Sequence, residues 1–98
     1  MNVFVSFDAE GDILDGIAFY TANGKNVGDY FYLSIMADVQ ALAVFGGIHS
    51  KRFGYHCVPA KRFPFAVYYS ITDSTVYVIA ILDERRDPDW ITQRLRRG

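Results

Sequence analysis

The sequence predicts an α+β domain in which an N-terminal helical hairpin covers one face of an antiparallel sheet, in the order β-α-α-β-β-β-α. Three observations predict it. Apolar residues recur at helical spacing up to Gly46-Gly47 and at every second position after it. Asn23-Gly24 divides the helical half, because both residues tolerate the left-handed backbone that ends a helix. Asp87-Pro88-Asp89 pairs a capping side chain with a first-turn proline, which opens a final helix.

Each element follows in order. Residues 2–6 alternate and are short, as a strand requires. Ser6 or Asp8 can accept from the free N–H groups of a helix spanning roughly 8–22. Ile13, Leu14, Ile17 and Tyr20 give that helix an apolar stripe, and Asp8, Glu10 and Asp12 sit in the early turns that its dipole favours. Asn26 is the expected cap of a second helix, 27–45, with a core stripe of Val27, Phe31, Ile35, Leu42 and Phe45. Tyr32, Met36, Val39 and Val44 lie outside that stripe, and a helix apolar on more than one face is buried on more than one face. Alternation then predicts strands at 53–58, 65–71 and 75–82, with Asp73-Ser74 as the turn between the last two. Those two strands are apolar on both faces and are expected at the centre of the sheet. Trp90, Ile91 and Leu95 give the tail helix an apolar side, and Arg94, Arg96 and Arg97 end it in positive charge.

Ninety-eight residues, 51% of them hydrophobic, support one domain, 1–98, with a core of its own. No apolar run approaches the roughly 20 residues that span a bilayer. The N-terminus shows no signal peptide, and Cys57 is the single cysteine, so a reduced, cytoplasmic protein is expected. The net charge of −1 conceals a split: residues 1–50 hold six acids and one base, residues 51–98 nine bases and five acids. Two solvated faces account for such a split; so does a basic surface in the second half that meets an acidic partner.

Few residues suggest chemistry. His49, His56 and Cys57 lack zinc-ligand spacing, and no glycine-rich phosphate loop is present, so neither metal nor cofactor is expected. His56 and Cys57 are strand neighbours that point to opposite faces and cannot act as a base–nucleophile pair; Cys57 reads as a small core residue. The informative cluster is basic and aromatic: Lys61-Arg62, Tyr68-Tyr69 and Arg85-Arg86. Antiparallel strands bring Arg62 and Arg85 to the same end of the sheet, where they serve a binding site or simply pair with Asp83 and Glu84.

Residues 61–69, Lys-Arg-Phe-Pro-Phe-Ala-Val-Tyr-Tyr, followed by Val76–Leu82 and by Arg85-Arg86-Asp87-Pro88-Asp89-Trp90, resemble the C-terminal signature of the RelE/ParE toxins of type II toxin–antitoxin systems, ParE branch. Val27–Phe31, Ile48-His49 and Phe53–His56 are similar to the family as well, so the resemblance spans essentially the whole chain. It implies a cognate antitoxin that wraps the toxin and carries the DNA-binding domain, so that operator DNA is met only through the antitoxin. It also implies one of two activities, inhibition of DNA gyrase or ribosome-dependent mRNA cleavage.

The nuclease branch uses lysines in the second strand, an arginine opening the third, an arginine after the last strand and a tail tyrosine or histidine. Here those places hold His56 and Val58, Phe65, Arg85, and Trp90-Ile91. His56 and Arg85 are therefore the only nuclease candidates, and a non-catalytic toxin that binds gyrase is the leading reading. An inactive relative that serves only antitoxin binding and operon autoregulation is a further alternative. The target-binding candidates are Arg62, Tyr69, Arg85, Arg86 and Trp90. An apolar, acidic antitoxin segment is expected to dock on Tyr32, Met36 and Val39 and to run toward Arg86; homodimerisation is a competing use of the same helix.

Overall fold

The computed structural model describes residues 1–97. Its elements are β1 (Asn2–Val5), α1 (Phe7–Thr21), α2 (Lys25–Phe45), β2 (Lys51–Arg52), β3 (Tyr55–Pro59), β4 (Phe65–Thr72), β5 (Thr75–Asp83) and α3 (Pro88–Arg97). One five-stranded sheet runs in the order β1-β5-β4-β3-β2. The expected α+β architecture is present, with two differences. The sheet is mixed, because β1 pairs parallel with β5. Two long helices and three strands separate β1 from β5 in the chain, so no hairpin turn forces the pair antiparallel. Lys51–Arg52 also forms a short extra strand on the far edge, and the expected strand at 53–58 starts only at Tyr55. Phe53 and Gly54 are instead the turn between the two, with φ of 56° and 88°.

The helix ends obey local chemistry. Ser6, not Asp8, caps α1 by accepting from Ala9 N–H at 3.1 Å. Helix α2 begins one residue earlier than its expected cap: Gly24, at φ 132°, takes the cap position and Asn26 lies inside the helix. Asp87 caps α3 through Asp89 N–H at 2.9 Å. Asp73 and Ser74 both adopt positive φ, 49° and 61°, as a two-residue hairpin turn requires.

Apolar side chains fill both sides of β4 and β5. On one face Phe31, Ile35, Val39 and Leu42 of α2 and Ala9 and Ile13 of α1 pack on Val67, Tyr69, Val76 and Val78. On the other, Ile91 and Leu95 of α3 pack on Ala66, Tyr68, Ala80 and Leu82. The two long helices approach closely because a Cβ at Gly16 would strike the Phe31 ring and one at Gly28 the Thr21 side chain. Two expected stripe positions leave the core and one residue from outside the stripe joins it. Leu14 is 65% exposed, since it lies one residue, or 100°, round the helix from the buried Ile13. Phe45, the last helical residue, overhangs the core and is 54% exposed. Val39 takes a core place on the row of Phe31 and Ile35 and is 2% exposed. No helix among the described residues is long and apolar enough to cross a membrane.

One irregularity organises the rest. The β4–β5 register shifts between Tyr68 and Tyr69, so that Tyr68 faces Ala80 and Tyr69 faces Val78, which leaves Ile79 as an extra residue in β5. Beyond Val78 the outer edge of β5 has no strand beside it, because β1 is too short. Side chains satisfy it instead: Asp12 accepts from Ile81 N–H at 3.0 Å, and Arg94 donates to Ile79 C=O at 3.3 Å.

Candidate functional site

The β4–β5 pairing, Phe65 opposite Asp83, brings the chain before β4 and the chain after β5 to one end of the sheet. Glu84 N–H donates to Pro64 C=O at 2.8 Å and ties them together. Arg62 lies exposed in the chain before β4, and Arg85 and Arg86 lie exposed in the chain after β5. Arg85 is already engaged: its backbone N–H, Nε and Nη2 all donate to the Asp83 carboxylate, at 2.9, 3.0 and 2.7 Å. The hydrogen bonds from Arg85 hold the Asp83 carboxyl below its usual range. Arg86 is not ion-paired among the described residues; its guanidinium sits 3.8 Å from the Trp90 ring centroid. Phe19, Phe65, Arg86 and Trp90 line a shallow cleft between α1 and this corner.

Next to it the seam between α1 and α3 is closed by a buried ion pair with no local signature in the chain. Arg94 donates to Asp12 through Nη2 at 2.7 Å and Nε at 3.2 Å, with the arginine side chain only 4% exposed. Burial pushes the Asp12 carboxyl up, against the opposing pull of Ile81 N–H and Arg94.

Tyr69, expected to touch a target, does not reach the surface: it is fully buried. Its hydroxyl accepts from Gly47 N–H at 2.9 Å and meets His49 Nδ1 at 2.5 Å. The His56 ring stacks on the Tyr69 ring at 5.0 Å, and His56 Nδ1 lies 2.6 Å from His49 C=O. A carbonyl only accepts, so His56 is protonated at Nδ1. Tyr69 is thus a clamp between the end of α2 and the sheet, and its target-binding role is withdrawn. Burial, then the neighbouring His56, lowers the His49 pKa. On the opposite face Tyr68 donates to Glu84 at 2.9 Å, and Glu84 also pairs with Arg52. Cys57, opposite Tyr68 in the register, has its thiol pushed up by burial, as a packing residue should. No three metal-ligand side chains converge among the described residues.

The antitoxin candidates divide. Val39 is core and cannot be a contact in the folded chain. Tyr32, 44% exposed, and Met36, partly buried, line an open apolar groove between α1 and α2. Its other walls are Val5, Ile13, Leu14 and Ile17, and Glu10 is its one charged residue.

No family model and no curated protein matches the chain. A solved structure does: a chain of the chromosomal ParDE TA system from P. aeruginosa superposes with a TM-score of 0.72 at 19% identity, over 83% of this chain and 92% of that one. The chain has the fold seen in that ParDE system. At this identity the likeness extends to the fold. It covers both the helical hairpin and the sheet, since 83% of the chain cannot omit either.

Proposed function

We propose that the chain is the toxin of a type II toxin–antitoxin pair, that it acts by binding a protein rather than by catalysis, and that DNA gyrase is its target. The observation that carries this reading is the ParDE-like fold, reached independently of the sequence resemblance. The internal engagement of the two nuclease candidates supports the non-catalytic part. Arg85 is held by Asp83 and His56 Nδ1 by His49, and no lysine accompanies them on β3. Metal-free RNA cleavage needs a base, an acid and cations aimed at one phosphate. The target surface is the corner of Arg62, Arg86 and Trp90, and the antitoxin covers the hairpin groove.

Induction of the chain alone should arrest growth, and purified chain should inhibit gyrase supercoiling while leaving ribosome-bound mRNA intact. Ribosome-dependent cleavage that is lost in His56→Ala establishes the endoribonuclease reading instead. Binding to the antitoxin without growth arrest establishes the inactive relative.

A further inference from the structure

We propose that two copies of this chain pair through the free edge of β1, antiparallel about a two-fold axis at Phe4, and so join their five-stranded sheets into one. This contact is separate from the toxin reading and from the hairpin groove.

The two edges of the sheet are finished differently. On the far edge β2 consists of Lys51 and Arg52, both exposed and cationic. Beyond it, Cys57 N–H is already taken by Ser50 C=O at 3.1 Å, and Pro59, the next β3 residue of that orientation, has no N–H to offer. Like charge and proline are means by which an edge refuses another strand. Strand β1, Asn-Val-Phe-Val, carries neither.

The register fixes what β1 presents. Val3 lies beside Val76 and Val5 beside Val78 in the parallel pair, and Ser6 N–H donates to Val78 C=O at 3.0 Å. In that pattern the backbone groups of Asn2, Phe4 and Ser6 face β5, and those of Val3 and Val5 face away from it. No strand lies on that side, because β1 ends the sheet. With a second β1 placed antiparallel about Phe4, Val3 lies opposite the partner's Val5 and exchanges both hydrogen bonds with it, and Val5 does the same with the partner's Val3. Every outward N–H and C=O of both edges is then satisfied, by a contact whose halves are identical.

The side chains agree with the same register. Val3 and Val5 pack toward the helices, so Phe4 turns to the opposite face, where it is 56% exposed and meets Tyr77 edge to face at 5.8 Å. Helix α3 covers Ala66, Tyr68, Ala80 and Leu82 on that face and leaves this aromatic pair bare. On the axis Phe4 meets the partner's Phe4 as a non-hydrogen-bonded pair, the closer of the two antiparallel kinds, with a Tyr77 ring on either side. At each end Phe7, 87% exposed, comes toward the partner's Met1, 44% exposed in the single chain. Met1, Phe4, Phe7 and Tyr77 are thus covered together, and the two-fold sets no charged side chain of β1 against its twin. The nearest acids, Asp8 and Glu10, lie in α1 beyond the paired residues.

Sedimentation equilibrium of the full chain should show a dimer, twice the 11.1 kDa of one chain, in the micromolar range. Phe4→Lys should give a folded monomer, because the site is exposed but the axis then sets two cations together. Phe4→Glu should do the same, and an equimolar mixture of the two variants should recover the dimer. In the unaltered chain the amide exchange of Val3 and Val5 should slow as protein concentration rises, while that of Phe4, bonded to β5, should not change. A chain that stays monomeric, a dimer that Phe4→Lys leaves intact, or Val3 and Val5 amides indifferent to concentration overturns the proposal. Should both charged variants unfold, the exchange of the unaltered chain decides alone.

Discussion

The two flanks of α1 are finished in opposite ways. Toward α3 the seam is sealed by Asp12 and Arg94, whose bonds also satisfy the bare edge of β5. Toward α2 the helices meet at Gly16 and Gly28 on the core side but leave an open apolar trough outside. The difference separates a polar contact that holds the fold from an apolar surface that the fold leaves unused. A buried ion pair is expensive to desolvate, so its value lies in what breaks when one partner is lost. An exposed apolar trough costs stability to keep bare, so its value lies in what covers it.

Substitution on the sealed flank should cost the most stability. Arg94→Met leaves the Asp12 carboxylate buried beside Ile81 N–H without its cation, and should lower unfolding free energy by about 3–5 kcal/mol. Urea denaturation measures it. The double variant Asp12→Asn/Arg94→Met should recover a substantial part, and no recovery would mean that Arg94 acts through packing alone.

The clamp at the end of α2 comes next. Tyr69→Phe removes the acceptor of Gly47 N–H and the partner of His49, and should cost about 1–3 kcal/mol. The same clamp carries a pH dependence. His49 has a folded pKa below its usual value near 6.5, so its contribution is fully present above that value and is lost as pH falls below it, through the lowered folded value. Urea midpoints should fall between about pH 7.5 and 5, and His49→Gln should flatten that part of the curve.

On the open flank, stability should hardly move while binding does. Tyr32→Ala should change thermal unfolding by less than about 0.5 kcal/mol, as an exposed position does, yet weaken antitoxin binding at least tenfold. Val39→Asp, seven residues on and buried, should instead unfold the chain. If Tyr32→Ala destabilises the free protein by several kcal/mol, the trough is core. The smallest effect belongs to Arg86→Ala, which should slow association with an acidic partner and reduce its salt dependence without changing the melting temperature.

Most of the fold was legible because periodicity and punctuation agree. Gly46-Gly47 marks the change from helical to alternating spacing, and the positive φ at Asp73 and Ser74 is what that dipeptide suggests. Pairing partners are less legible. Nothing in Asn2–Val5 says whether β1 lies parallel or antiparallel, because that depends on where α1 returns the chain. The site was read unevenly for a similar reason. Arg62, Arg86 and Trp90 are exposed, and the Arg86 guanidinium lies over the Trp90 ring. Tyr69 and Val39 do not, since composition marks a residue as aromatic or apolar without saying which layer it faces. Asp12 looked like a dipole-favoured first-turn acid and Arg94 like a solvated tail cation. Their union across 82 residues has no local signature.

The most direct test of the account is a paired assay on the purified chain, gyrase supercoiling beside ribosome-dependent mRNA cleavage, each with and without the protein encoded by the neighbouring reading frame. The account predicts loss of supercoiling, intact mRNA, and restoration of supercoiling when the neighbour's product is added. Unchanged supercoiling with cleaved mRNA would contradict it.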